Sequence, residues 1–196
     1  MIEITFISHS TSVDNEAGVA SGHRDVPLSA LGEQQARETG ARYASQHFDA
    51  VFSSDLQRAY RSVEIAFGDW RSVERNPGLE SRGMIIVRDP RLREVDYGSL
   101  TGMANEHLAS IRGQHVETPF PGGESYQHAV ERMRGFLRDL LAARDGQSIL
   151  ICGHAATYYA LEHLINGREL SELVASEREW QPGWSYRLAA ETINDP

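Results

Sequence analysis

Apolar and polar positions along the chain fall into short strand-like runs alternating with longer helical stripes. Residues 2–8, Ile-Glu-Ile-Thr-Phe-Ile-Ser, form a β-rich run that stops at small polar residues. A loop rich in Ser, Asp, Asn and Gly follows from Ser8 to Pro27. Ser29 is placed to cap a helix from near Ala30 to about Gln46, with Glu33 close to the capping-box position. Asp49 to Ser53 reads as a second buried strand, and Asp55 as the cap of a helix reaching about Phe67. The stretch from Gly68 to Gly123 is less regular and contains Pro77, Pro90, Pro119 and Pro121. Met84-Ile85-Ile86-Val87 predicts a third strand inside it. The remainder predicts a lid insertion over the mouth of a site, a common use of long irregular segments.

The strongest helical stripe is Tyr126, Ala129, Val130, Met133, Phe136, Leu137, Leu140 and Leu141, whose spacing puts all eight on one face for core packing. Ser148 to Cys152 is an unbroken apolar run suited to a strand covered on both faces. A helix follows from about Ala155 to Ile165, and Ser185 to Ala189 predicts an edge strand. Strands alternating with helices indicate an α/β three-layer sandwich, with a mostly parallel central sheet and helices on both faces. Neither a repeat nor a linker interrupts the pattern, so residues 1–196 read as one domain.

Composition narrows the class. With 40% apolar and 24% charged residues the chain reads as globular, and no run approaches the roughly 18 apolar residues of a membrane span. The amino terminus leads straight into the first strand with no basic region or signal-like cleavage site, an expectation of cytoplasmic location. A net charge of −9 argues against nucleic-acid binding, yet leaves room for a pocket that gathers a few cations around an anionic ligand. The lone Cys152 can form neither an internal disulfide nor a thiolate metal site by itself. No convincing metal-ligand set and no cofactor motif is present.

Two histidines occupy equivalent places: His9 follows the first strand and His154 the late buried strand. Ligand sites in open α/β sheets gather at the carboxyl ends of strands, so the two imidazoles are placed to face one another. Taken singly, each is as well read as a loop histidine bonded to backbone. Ser53-Ser54-Asp55-Leu56-Gln57-Arg58-Ala59 lies at a third strand-to-helix junction, where Arg58 offers a planar, permanently charged donor. His23, His107, His115 and His128 read as surface or lid residues, and His163 as a residue packed on the helix after His154.

Five blocks in order along the chain resemble the histidine phosphatase (phosphoglycerate-mutase-like) superfamily. Ser8-His9-Ser10-Thr11-Ser12-Val13-Asp14-Asn15 is similar to its Arg-His-Gly-x-Thr/Ser-x-x-Asn segment. Gly22 to Ala36, with Asp25, Pro27, Leu28 and Gly32, follows its second pattern. Ser54 to Ala59 resembles the arginine-bearing block, Leu92 to Gly102 the segment with the proton-donating acid, and Ile151 to Ala155 the segment with the second histidine. The resemblance implies metal-independent hydrolysis of a phosphomonoester through a phosphohistidine formed on His9. Arg58 and His154 would hold phosphoryl oxygens, and Glu94 would protonate the leaving oxygen and then activate water. Ser12 and Asn15 would add neutral hydrogen bonds. The implied partner is a small phosphorylated or other anionic metabolite, with a homodimer possible and a mutase reaction less favoured. Substrate identity would lie with the lid residues of 68–123.

The chain departs from the pattern at Ser8, where the family has an arginine, and at Ser10, where it has glycine. A serine hydroxyl cannot reproduce a bidentate guanidinium–phosphate contact, and losing one such donor costs roughly 100- to 1,000-fold in rate. Three readings stay open on the residues alone. One is a weakened or specialised phosphatase in which Arg24, Arg61 or Arg93 fills the gap; a second is a degenerate binding or regulatory domain. The third is acid–base chemistry on a substrate without a phosphoryl group.

Overall fold

The computed structural model of the chain describes residues 1–68, 85–177, 179 and 181–193. Its centre is a five-stranded sheet: β1 (Ile2–Ser8), β2 (Ala50–Ser53), β3 (Ile85–Arg88), β4 (Ser148–Gly153) and β5 (Trp184–Leu188). The strand order is β3-β2-β4-β1-β5, with every pairing parallel except the antiparallel β1–β5 edge. Alternation along the strands sorts the core into two layers. Ile2, Ile4 and Phe6 of β1 and Ile149 and Ile151 of β4 pack with α5 (Tyr126–Arg144) and α6 (Ala155–Asn166). Ile7, Val51, Leu150 and Cys152 face the other way, toward α2 (Ala30–Tyr43) and α3 (Gln57–Phe67). The expected mostly parallel α/β sandwich is therefore the architecture of the chain. Among the described residues no helix is long and apolar enough to cross a membrane.

Element boundaries differ from the sequence reading where tertiary contacts override local signals. Helix α2 ends at Tyr43, whose buried ring joins the second core layer, short of the expected Gln46. Asp55 does not cap α3: Leu56 is the cap residue, and the Asp55 carboxylate instead takes two hydrogen bonds from Arg93 at 2.7 and 2.6 Å. Three short helices were not legible in the pattern: α1 (Val13–Glu16) in the first loop, α4 (Asn105–Ile111) and α7 (Leu170–Ala175). Strand β3 begins at Ile85, and the expected Met84 start lies outside the described residues, as does 69–84 of the expected lid. The described remainder of that segment is anchored by Leu92, Val95, Tyr97 and Phe120, which are buried in the layer beneath α5.

Close approach of α2 to the first loop fixes where the chain leaves β1. Ser29 caps α2 by accepting from the Gly32 N–H at 3.1 Å, while its own N–H donates to Thr11 O at 3.0 Å. A Cβ on Gly32 would lie 1.9 Å from Thr11 O, so only glycine lets the helix seat against this loop. Gly32→Ala is expected to destabilise the fold by about 1–3 kcal/mol, the ordinary cost of overpacking. Gly113→Ala, where a Cβ meets nothing within 4 Å, is expected to stay within about 0.5 kcal/mol. Urea denaturation of both variants checks the contrast.

Candidate active site

Parallel pairing brings two histidines together. Ser8 of β1 lies opposite Gly153 of β4, and the His9 N–H donates to Gly153 O at 3.0 Å. The next residue on each strand is then a histidine at the carboxyl edge of the sheet. The two ring centroids are 4.9 Å apart and the planes are inclined at 56°. His9 Nδ1 lies 2.7 Å from Ser10 O. A carbonyl only accepts, so Nδ1 carries the proton of the neutral ring and Nε2 is its basic nitrogen. Ser10 N–H in turn donates to Ser62 Oγ at 2.9 Å, tying the loop to α3.

Glu94 arrives from the segment after β3. Its Oε1 accepts from Val95 N–H (2.9 Å) and Ala156 N–H (3.2 Å), and its Oε2 from Ala155 N–H (3.2 Å). The carboxyl group thus sits over the amino end of α6, next to His154, where it takes up N–H groups that the helix leaves unpaired. Several contacts hold this segment. Arg132 of α5 donates to Arg91 O (2.7 Å), Arg93 O (2.9 Å) and Glu94 O (2.9 Å), and Thr157 Oγ1 donates to Leu92 O (3.0 Å). Arg132 is itself paired with Glu124 through two hydrogen bonds at 3.1 and 3.0 Å. Burial opposes the Glu124 charge, but Arg132 and the Asp96 N–H outweigh it and hold the carboxyl below the usual range.

His23 joins the same cluster, with Nε2 2.7 Å from Glu94 O and within 3.7 Å of Glu124. It is half-buried under the acid-bearing segment, so the sequence reading of a plain surface or lid residue is corrected. His128 closes the capping box of α5, His115 stacks on Phe120 with centroids 3.9 Å apart, and His163 contacts Arg168 O at 2.8 Å.

A cavity of about 450 Å³ opens at this edge of the sheet. Of the residues singled out by sequence, Ser8, His9, Asn15, Glu94 and His154 line it. Ser12 does not; it is fully buried, and its hydroxyl caps α1 by accepting from Asn15 N–H at 3.2 Å. Arg58 is 2% exposed and is not in the lining. It donates from Nη1 to Arg24 O (3.1 Å) and from Nη2 to Gly22 O (2.8 Å), so part of its fork is spent on the second loop. The three arginines expected to fill the gap at position 8 are all engaged elsewhere: Arg24 with Asp14, Arg61 with Glu64 and Arg93 with Asp55. Another wall is one face of α2, with Gln35, Glu38, Thr39 and Arg42, none of which the sequence reading assigned to the site. Among the described residues, Glu94 is the one lining side chain drawn from 68–123, and α2 supplies a larger share of the wall.

His154 is 1% exposed, and neither ring nitrogen has a hydrogen-bond partner among the described residues. Each buried polar atom left in that state costs about 1–3 kcal/mol, which a ligand in the cavity could relieve. Burial, followed by the positive field of Arg58 and then His9, pushes the His154 pKa well below its ordinary 6.5. The folded ring therefore stays neutral at pH 7. Below about pH 6.5 the unfolded chain takes up a proton here that the folded chain refuses, so this group lowers stability as the pH falls and leaves it unaffected above. The expected cost is about 1.4 kcal/mol per pH unit below 6.5. Urea denaturation between pH 7.5 and 5.5 should show a shallower loss for His154→Asn than for wild type, and nitrogen NMR should report a neutral His154 ring throughout.

The sequence profile of the histidine phosphatase superfamily (branch 1) matches residues 4–178. Phosphoserine phosphatase 1 of Hydrogenobacter thermophilus is 26% identical over 181 residues, covering 88% of this chain and 80% of that protein. Fructose-2,6-bisphosphatase TIGAR B of Danio rerio is 35% identical over 143 residues, 70% of this chain and 52% of that protein. Among solved structures, Bacillus stearothermophilus YhfR superposes with a TM-score of 0.78 at 20% identity, over 97% of this chain and 93% of that one. A match that runs from β1 through the His154 helix and beyond, on the same sheet order that pairs the two histidines, makes this chain a member of the histidine phosphatase superfamily.

Proposed function

We propose that the chain is a metal-independent phosphomonoesterase that works through a phosphohistidine on His9. The observation that carries the reading is the pair of facing imidazoles, one with its tautomer fixed by Ser10 O and the other buried with both nitrogens unpartnered beside a cavity. Phosphatase names among the relatives support the same reaction class. In the first step His9 Nε2 attacks phosphorus, the ester P–O bond breaks, and Glu94 gives its proton to the leaving oxygen. In the second, water attacks phosphorus, the N–P bond breaks, and Glu94 takes the water proton. Oε2 of Glu94 accepts one backbone N–H where Oε1 accepts two, so Oε2 is the oxygen with room for the travelling proton.

The neutral His154 ring donates one N–H to a phosphoryl oxygen, and Asn15 at the cavity wall adds a neutral contact. Arg58 acts mainly as buried charge in this scheme. Burial lowers its pKa, with Glu94 the strongest of the groups opposing that shift, and the guanidinium remains cationic. Ser8 supplies no charge, so phosphoryl transfer here runs with one cation fewer than the family pattern has.

Phosphate release from p-nitrophenyl phosphate is expected for wild type and lost in His9→Ala. Glu94→Gln is expected to cost on the order of 100- to 10,000-fold with alkyl phosphates, and far less with the p-nitrophenyl ester, whose leaving oxygen departs without help. Ser8→Arg is expected to raise kcat on the aryl ester by about tenfold or more. Release by Ser8→Arg but none by wild type would replace this reading with that of a degenerate binding domain.

A further inference from the structure

Beyond the phosphoryl end, the cavity has a second, chemically distinct wall. Gln35, Glu38, Thr39 and Arg42 follow one another at helical spacing, so they form one face of α2 turned to the cavity. This face is rigidly joined to the His9 loop. Thr11 donates both its N–H (3.0 Å) and its hydroxyl (2.8 Å) to Gln35 Oε1, and Gly32 seats against the Thr11 backbone. The carboxyl end of the face is held by Tyr43, whose hydroxyl donates to Pro182 O at 3.3 Å. Two turns of helix, about 10 Å, separate Gln35 from Arg42. Long helical side chains lean toward the helix amino terminus, which turns the Arg42 guanidinium back toward the histidines.

The charge inventory singles out Arg42. The chain contains no lysine, so every fixed cation is an arginine. Around the cavity, Arg24, Arg61, Arg93 and Arg132 are paired with carboxylates, and Arg58 donates to backbone carbonyls. Arg42 makes no hydrogen bond or ion pair with the described residues, and it is the one Arg among the described residues that line the cavity. Its helical neighbour Glu38 is already engaged by Gln34 Nε2 at 2.9 Å. At about 450 Å³ the cavity far exceeds a phosphoryl group. Ser8, a short side chain, is in the same lining as Arg42.

We propose that this wall of α2 is a leaving-group subsite, in which Arg42 binds a carboxylate or second phosphoryl group carried by the substrate alcohol. The proposal rests on the phosphomonoesterase reading above and names the substrate class within it: esters with an anionic leaving group. Their extra charge would be met some distance from phosphorus, so Arg42 acts on binding more than on the chemical step.

The test compares phosphate release from 3-phosphoglycerate, phosphoserine and a sugar bisphosphate with that from glycerol 3-phosphate, whose leaving alcohol is uncharged. In Arg42→Gln the anionic-to-neutral ratio of kcat/KM is expected to fall about tenfold or more, mainly through KM. Arg42→Glu is expected to turn the preference toward phosphoethanolamine. Arg37→Gln, the same charge change on the same helix outside the cavity, is expected to leave the ratio unaltered and so excludes a general field effect. Loss with the carboxylates alone, or with the bisphosphate alone, identifies the group that Arg42 reads. A ratio unmoved by Arg42→Gln overturns the proposal. If wild type hydrolyses no ester at all, the catalytic reading fails separately. Calorimetric titration of 3-phosphoglycerate into wild type and Arg42→Gln then decides the subsite, with equal affinities overturning it.

Discussion

The parallel ladder between β1 and β4 is the constraint on which the site depends. Its register sets Ser8 against Gly153, and one further residue on each strand delivers His9 and His154 to a common edge. His154 also caps α6, but it is the sheet that sets the two imidazoles against each other. The backbone bond from His9 N–H to Gly153 O extends the ladder one step past the strand and removes the slack that a free loop would have. A slip of one residue would send the whole of β1 to the wrong face, turning Ile4 and Phe6 out of the core, so burial of those side chains enforces the geometry of the histidines. Hydrophobic packing several residues away is thereby converted into placement of two polar rings.

The acid is held by a different principle. Glu94 lies on irregular chain, and its position comes from satisfying backbone carbonyls. Arg132 spans Arg91 O, Arg93 O and Glu94 O with one planar fork, which a lysine point charge could not do. Its partner Glu124 balances the charge of that half-buried guanidinium, and His23 also contacts the Glu94 carbonyl. The side chain of Glu94 then meets the amino end of α6, immediately after His154. One helix terminus thus positions the acid, and the histidine that precedes it lies within the same field.

Most of the fold was legible because it rests on periodicity. Strands β1, β2 and β4, helices α2, α3, α5 and α6 and the parallel class all follow from apolar spacing. His9 and His154 were found because strand ends are visible in that spacing. What escaped was set by contacts distant in sequence. Asp55 has the right residue type for a helix cap, yet a bidentate arginine 38 residues away outbids the helix for it. Ser12 carries the expected motif hydroxyl, and the local cap of a four-residue helix uses it. Leu92, Val95 and Phe120 have no period to announce them, so their burial was not legible. Arg42 looked like any solvated arginine on an exposed helix face, because no linear signal shows which stretch of an amphipathic surface borders a cavity.

Ser8 alters more than one contact. In a pocket with an arginine beside the nucleophile, the phosphoryl group meets charge directly, and the same side chain walls off the space beyond. In the proposed reaction the buried Arg58 shares its donors with the loop at 22–24, while the cation in the lining stands toward the carboxyl end of α2. The attraction for an anion is therefore spread along the cavity and no longer concentrated at the reacting centre. Binding energy gathered far from phosphorus helps catalysis only if it is used to hold the ester in line with His9 Nε2, because uniform binding lowers KM without raising kcat. The tie between Gln35 and Thr11 supplies that link: two hydrogen bonds join the face bearing Arg42 to the loop bearing His9. Substrate grip at one end can in this way become alignment at the other.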